Sequence, residues 1–147
     1  MRLYRLPDAG GIDGLRPQAA PDPKPARNQV LVRMRAASLN YRDLNVIRGR
    51  YGRGGVAPGT IPLSDGAGEV VEVGPDVTRS GPGDRVAGTF FQAWIAGAIR
   101  EEYHQSAMGG AIDGVLGDYR VFEQDGLVPL PAHLSFEEAG ESHLEIP

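Results

Sequence analysis

Residues 30–74 limit the folds open to this chain more than any other stretch. Val30, Val32, Met34 and Ala36 alternate with Leu31, Arg33 and Arg35, the period-2 pattern of a half-buried strand. After Ser38 the period changes. Leu44, Ile47 and Arg48 fall at helical spacing, which predicts a short helix over residues 41–48 with Asn40 as its N-cap and Gly49 as its stop. A glycine-rich loop follows at residues 51–59. Residues 68–74 return to strand, with Val70 and Glu72 expected on one face and Val71 and Val73 on the other. Two polar groups, Asn40-Tyr41-Arg42-Asp43 and Ser64-Asp65, therefore stand where apolar strands end, a placement suited to lining a pocket.

The flanking chain is read the same way. Residues 3–6 form a short strand, broken by Pro7, and the proline-rich residues 17–25 are a linker or turn. Pro82-Gly83-Asp84 turns the chain into Arg85-Val86-Ala87. Between residues 88 and 114 periodicity is lost, apart from a short helix expected around residues 93–103. Residues 115–123 and 127–130 are two more strands, separated by the turn Gln124-Asp125-Gly126. Ser135 and Glu138 then form a capping box that opens a helix. Such a helix should run for about 10 residues or more, yet Gly140 and ESHLEIP follow at once. A truncated or frame-shifted end is expected over residues 140–147.

Composition removes whole classes of function. With 147 residues and no cysteine, the chain is long enough for one domain with a core. It can hold neither a disulfide framework nor a thiolate-bound zinc. The 15 basic residues against 19 acidic ones form no run, so nucleic acid is not an expected partner. No apolar stretch approaches the ~20 residues of a membrane span, and the first residues lack a signal-peptide core. A cytoplasmic protein without membrane contact is expected. His104, His133 and His143 share no ligand spacing. Gly52-Arg53-Gly54-Gly55-Val56-Ala57 fits G-x-G-x-x-A, but no strand precedes it, and Pro58-Gly59 blocks the helix whose N-terminus would meet a pyrophosphate. It reads as a loop.

VLVRMRAASLNYRDL, PLSDGAGEVVEVGPDVT, GDRVAG and LVPLPAHLSFEEA, in that order, resemble the N-terminal catalytic domain of the medium-chain dehydrogenase/reductase superfamily. The nearest branch is the zinc-independent, quinone-oxidoreductase-like one. The resemblance implies a mainly β fold over residues 1–139: a GroES-like, partly open β-barrel with a few short helices. The Rossmann domain that follows in the family is absent from this chain. Zinc-binding relatives carry Cys where Asn40 stands and His where Ser64 stands, so the resemblance implies that no zinc is bound. It further implies an NADPH-dependent oxidoreductase that passes hydride to a quinone, an enone or a similar activated carbonyl. Asn40 and Tyr41 would face the nicotinamide and substrate, with Asp43 orienting the cluster. Tyr51, Ser64 and Asp65 would complete the substrate pocket, Tyr51 as a phenol donor and Asp65 at the position of a family Glu.

Each residue also has a plainer reading. Asn40 is a sufficient N-cap, Asp43 suits a first helical turn by the macrodipole alone, and Ser64-Asp65 before Gly66 is ordinary turn chemistry. Lone tyrosines commonly sit on a rim. Two alternatives stand beside the oxidoreductase fragment: a stand-alone β-barrel binding module without redox chemistry, and a fragment that covers an apolar face by forming a homodimer.

Overall fold

The computed structural model describes residues 1–8, 11–52 and 55–141. Strand β1 (Arg2–Tyr4) pairs antiparallel with β2 (Pro17–Ala19), on either side of a 3-10 turn at Gly11–Gly14. Five longer segments build the main sheet: β3 (Gln29–Ala37), β4 (Gly66–Val73), β5 (Arg85–Gly88), β6 (Tyr119–Glu123) and β7 (Leu127–Pro129). Their order is β6-β3-β4-β5-β7, and each neighbouring pair is antiparallel. Helix α1 (Tyr41–Ile47) follows β3, and α2 (Phe136–Glu141) follows β7. Among the described residues no helix is long and apolar enough to cross a membrane.

The connection between β6 and β7 shapes the sheet. These strands are its two edges, yet only the 3-10 turn Gln124–Gly126 joins them. Four Cα steps reach ~14 Å at most, whereas five flat strands at ~4.8 Å spacing would hold their edges ~19 Å apart. The sheet must curl, and it does so as a mainly β half-barrel. Val30, Val32, Val70, Val86, Phe122 and Leu127 fill the concave side together with Leu63, Met108 and Val115. The convex side carries small residues. Ala67 and Ala87 lie under Ala139 of α2, with Phe136 and Leu130 at the margin. Arg85 holds that helix by donating to the Leu134 carbonyl and stacking on the Phe136 ring at 4.7 Å.

Several expected elements are corrected. Val70 and Val73 face the same core while Val71 and Glu72 are exposed. Leu31 pairs with Glu72 but Val32 with Val70, so Val71 is the extra residue of a β-bulge, which shifts the alternation by one. The helix expected around residues 93–103 does not form. Gly97 turns left-handed at φ 80, the Trp94 indole N–H donates to its carbonyl at 3.0 Å, and a 3-10 turn forms later, at Glu101–Ser106. Within the proline-rich segment, residues 17–19 are the strand β2; Pro17 is its first residue, a position where the missing N–H is tolerated. The strand expected from residue 115 begins only at Tyr119, because the Gly114 and Val115 N–H groups donate to the Ile61 and Leu63 carbonyls instead.

The capping box is present: Ser135 N–H donates to Glu138 Oε2 at 2.8 Å, and Glu138 N–H to Ser135 Oγ at 3.1 Å. Gly140 continues α2 rather than ending it. Residues 142–147, with most of the non-matching tail and His143, lie outside the described residues, as do Arg53 and Gly54 of the G-x-G-x-x-A pattern. No helix begins at residues 55–60.

Candidate functional site

Ala37, the last residue of β3, pairs with Gly66, the first of β4. The segments just beyond, residues 38–40 and 64–65, must therefore meet. Ser38 N–H donates to the Asp65 carbonyl at 3.0 Å. The Asn40 amide Nδ2 donates to Asp65 Oδ2 at 2.5 Å and to Ser38 Oγ at 3.2 Å. Ser64 Oγ donates to the same Asp65 oxygen at 2.8 Å. Ser64, Asp65 and Asp43 are all buried.

Asn40 is also the N-cap of α1, with extended backbone at φ −110, ψ 154. Its N–H donates to Asp43 Oδ2 at 2.8 Å, and Asp43 N–H returns to the Asn40 carbonyl at 2.9 Å. One residue thus ends the strand, starts the helix and ties the two polar groups together. Leu63 sets the other side. It is a buried leucine at φ 71, a conformation that costs a non-glycine residue of order 1–3 kcal/mol and needs surroundings that enforce it. Gly109 and Gly114 supply them, because their bare Cα atoms lie against the Leu63 backbone.

Arg42 and Phe90 belong to the site; sequence reasoning placed Arg42 in the polar cluster without a role of its own and missed Phe90. The Arg42 guanidinium lies 4.4 Å from the Tyr51 ring centroid and 4.9 Å from that of Phe90. Its nitrogens are sealed from solvent and make no hydrogen bond, and Nη1 stands 3.8 Å from Asp43 Oδ1. The cation fixes Tyr51 against α1 by stacking. Gly110 leaves room for it, since a Cβ there would stand 2.6 Å from Nη2. Arg42 lies inside the polar cluster, so its position was a usable signal; nothing in the sequence marks Phe90. Of the expected site residues, Asn40, Asp43, Ser64 and Asp65 are brought together. Tyr51 is linked through Arg42, and Tyr41 points to solvent, 76% exposed beside Leu39 at 84%.

Burial raises the Asp43 carboxyl above its ordinary 3.8; the Asn40 N–H and the Arg42 charge oppose this, and Asp65 adds to it. A folded-state pKa above the unfolded one means the folded state binds the proton more tightly. The stabilisation is complete below the ordinary value and is lost as pH rises through the folded pKa. Asp43→Asn keeps an oxygen acceptor for Asn40 N–H and cannot ionise. Its stability relative to the parent is expected to improve between pH 4 and pH 7. Urea midpoints at the two pH values measure this, and parallel profiles would contradict it.

Among the described residues no group of three or more His, Asp or Glu side chains could hold a metal ion. Beside the locked Asn40–Ser64–Asp65 cluster, the site offers tyrosine hydroxyls and exposed apolar faces at the rim of a half-barrel.

Comparison with known proteins places this geometry. The alcohol dehydrogenase GroES-like domain profile matches residues 26–132. A zinc-type alcohol dehydrogenase-like protein of Schizosaccharomyces pombe is 39% identical over 132 residues, which is 89% of this chain and 38% of the yeast protein. Acryloyl-coenzyme A reductase of Metallosphaera sedula is 31% identical over 136 residues, covering 88% of this chain and 40% of the reductase. The crystal structure of a protein described as an alcohol dehydrogenase from Sinorhizobium meliloti 1021 superposes with a TM-score of 0.83 at 34% identity, over 95% of this chain and 41% of that one. The chain spans about two fifths of the length of these relatives. With the profile spanning most of its length and the same half-barrel in the solved relative, this chain belongs to the alcohol dehydrogenase GroES-like domain family of the medium-chain dehydrogenase/reductase superfamily.

Proposed function

We propose that residues 1–139 form the substrate side of a hydride-transfer site in an NADPH-dependent, zinc-independent oxidoreductase acting on a quinone, an enone or a similarly activated carbonyl. The observation that carries this reading is the direct contact between Asn40, Ser64 and Asp65. Tetrahedral zinc with ligands at ~2.0–2.3 Å holds its donor atoms more than ~3 Å apart. Here Asn40 Nδ2 and Ser64 Oγ lie 2.5 and 2.8 Å from one carboxylate oxygen. Hydrogen bonds join these groups directly, and amide and hydroxyl groups are weak zinc donors beside thiolate and imidazole, which supports a zinc-independent reading.

Without a metal, the charge that develops on the substrate oxygen needs hydrogen-bond donors. NADPH would supply the hydride. The chain's own residues do the rest. Asp65 fixes the Asn40 amide, Asp43 fixes the Asn40 backbone, and Arg42 holds Tyr51 so that its hydroxyl is the donor offered to the carbonyl. Leu39 and Tyr41, on either side of Asn40, offer apolar surface to a flat ring. The name of the Metallosphaera relative, a reductase of an activated alkene, fits this substrate class; that of the yeast relative points to zinc chemistry, for which Asn40 and Ser64 are weak donors.

Positioning of the two reactants can account for ~7–11 kcal/mol of a barrier, and among the described residues no helix follows the glycine-rich loop to meet a dinucleotide pyrophosphate. NADPH oxidation by this chain with a panel of quinones is therefore expected to stay at the protein-free background. Menadione is expected to shift the ¹⁵N resonances of Asn40, Tyr41 and Tyr51 and to leave β1 and β2 untouched. Protein-dependent turnover would overturn the inactivity, and a quinone that perturbs none of those three resonances would overturn the site.

A further inference from the structure

A cleft of about 530 Å³ lies away from the Asn40–Asp65 site and shares no residue with it. Lys24, Gln29, Gln92, Gln105, Arg120 and Glu123 are among the side chains that line it. Arg120 stands on β6 opposite Val32, with its guanidinium 5.7 Å from the Phe122 ring centroid. Its Nε is sealed from solvent without a partner, and no hydrogen bond or ion pair from the described residues reaches the group. Burial lowers its pKa, an effect that Asp113 and Glu123 partly offset from a distance. Nη1 and Nη2 are not sealed, and a guanidinium that lines a cleft without a protein acceptor is shaped for two-point contact with an oxyanion.

The neighbours favour the same ligand. Lys24, the chain's only lysine, is exposed and forms no ion pair with a described residue. Glu123, the acid of the cleft, already accepts the Gln29 amide at 2.8 Å. Gln92 is 6% exposed; its Nε2 donates to the Thr89 and Gly126 carbonyls at 2.9 and 3.0 Å, which leaves a buried Oε1 without a partner. Two cations against one engaged carboxylate suit a ligand that carries O⁻.

We infer that this cleft binds the oxyanion of a small molecule, a phosphate or a carboxylate, through Arg120 and Lys24. The test is a ¹⁵N titration of the 147-residue chain with inorganic phosphate and, separately, with succinate, at an ionic strength held constant with chloride. Saturable shifts at Gln92, Gln105 and Arg120 are expected for at least one of the two. Saturation by phosphate alone identifies a phosphorylated ligand, and by succinate alone a carboxylate. Arg120→Gln should weaken binding about tenfold or more, because a charge-assisted two-point contact is lost. Lys24→Gln, at an exposed position that does not endanger folding, should weaken it about threefold, as expected for one exposed charge. Linear, unsaturable shifts with both anions would overturn the inference. So would Lys24→Gln binding indistinguishable from the parent, which decides the matter if Arg120→Gln does not fold.

Discussion

Gly114→Ala is expected to destabilise the fold by about 3 kcal/mol, at the upper end of the usual cost of overpacking. A Cβ on Gly114 would stand 1.9 Å from the Leu63 carbonyl oxygen and 2.6 Å from that of Pro62. Both obstacles are backbone, so no change of rotamer relieves them. The Leu63 carbonyl is also the acceptor for Val115 N–H at 3.0 Å, and Leu63 is the left-handed residue that precedes Ser64 and Asp65. The backbone must move, and the movement runs into the candidate site. Gly52→Ala makes the control: Gly52 has φ 69 but nothing within 4 Å of a built Cβ, so only the conformational cost of about 1 kcal/mol applies. Urea unfolding of both variants, followed by circular dichroism, measures the difference. Equal midpoints would show that the close approach at Gly114 is easily relaxed.

Phe122→Ala should cost about 3–5 kcal/mol, the range for removing a buried phenyl ring. Phe122 is among the largest fully buried side chains and lies in the concave core with Val30, Val86 and Met108. Its ring fills the space above Gly88, where a Cβ would come within 2.6 Å of Cε1. Collapse into the cavity is limited because strands β3 and β5 frame it. Phe136→Ala, at the half-buried margin under α2, should lose clearly less. Similar losses at the two positions would mean that the concave side is not the main core.

The site was legible in the sequence to the extent that strand register determines it. Asn40 and Ser64-Asp65 could be expected to meet because they flank the ends of two consecutive apolar strands, and those strands do pair with Ala37 opposite Gly66. The N-cap at Asn40 and the capping box at Ser135 were legible for a different reason: each satisfies backbone donors within four residues, so no distant part of the chain is needed to foresee it. Contacts that span the chain left no such mark. Arg42 reads as an ordinary polar residue of a first helical turn until Phe90 and Tyr51 close over its two faces. The bulge at Val71 is equally silent, because alternation of apolar residues gives no sign of an inserted one. The left-handed Leu63 is invisible too, since it depends on glycines at 109 and 114 that sit within an aperiodic stretch.

The place of β3 in the sheet also affects how the protein emerges from the ribosome. One edge of β3 pairs with β4, but its other edge waits for β6, whose Glu123 lies 94 residues beyond its partner Gln29. At roughly 5–20 residues per second, that wait lasts on the order of 5–20 s. For that time the apolar run Val30-Leu31-Val32 has an open edge facing other nascent chains, and long-range pairing of this kind also slows folding of the released chain. Arg33 and Arg35 at the far end of the same strand are placed to discourage edge-to-edge association during the delay.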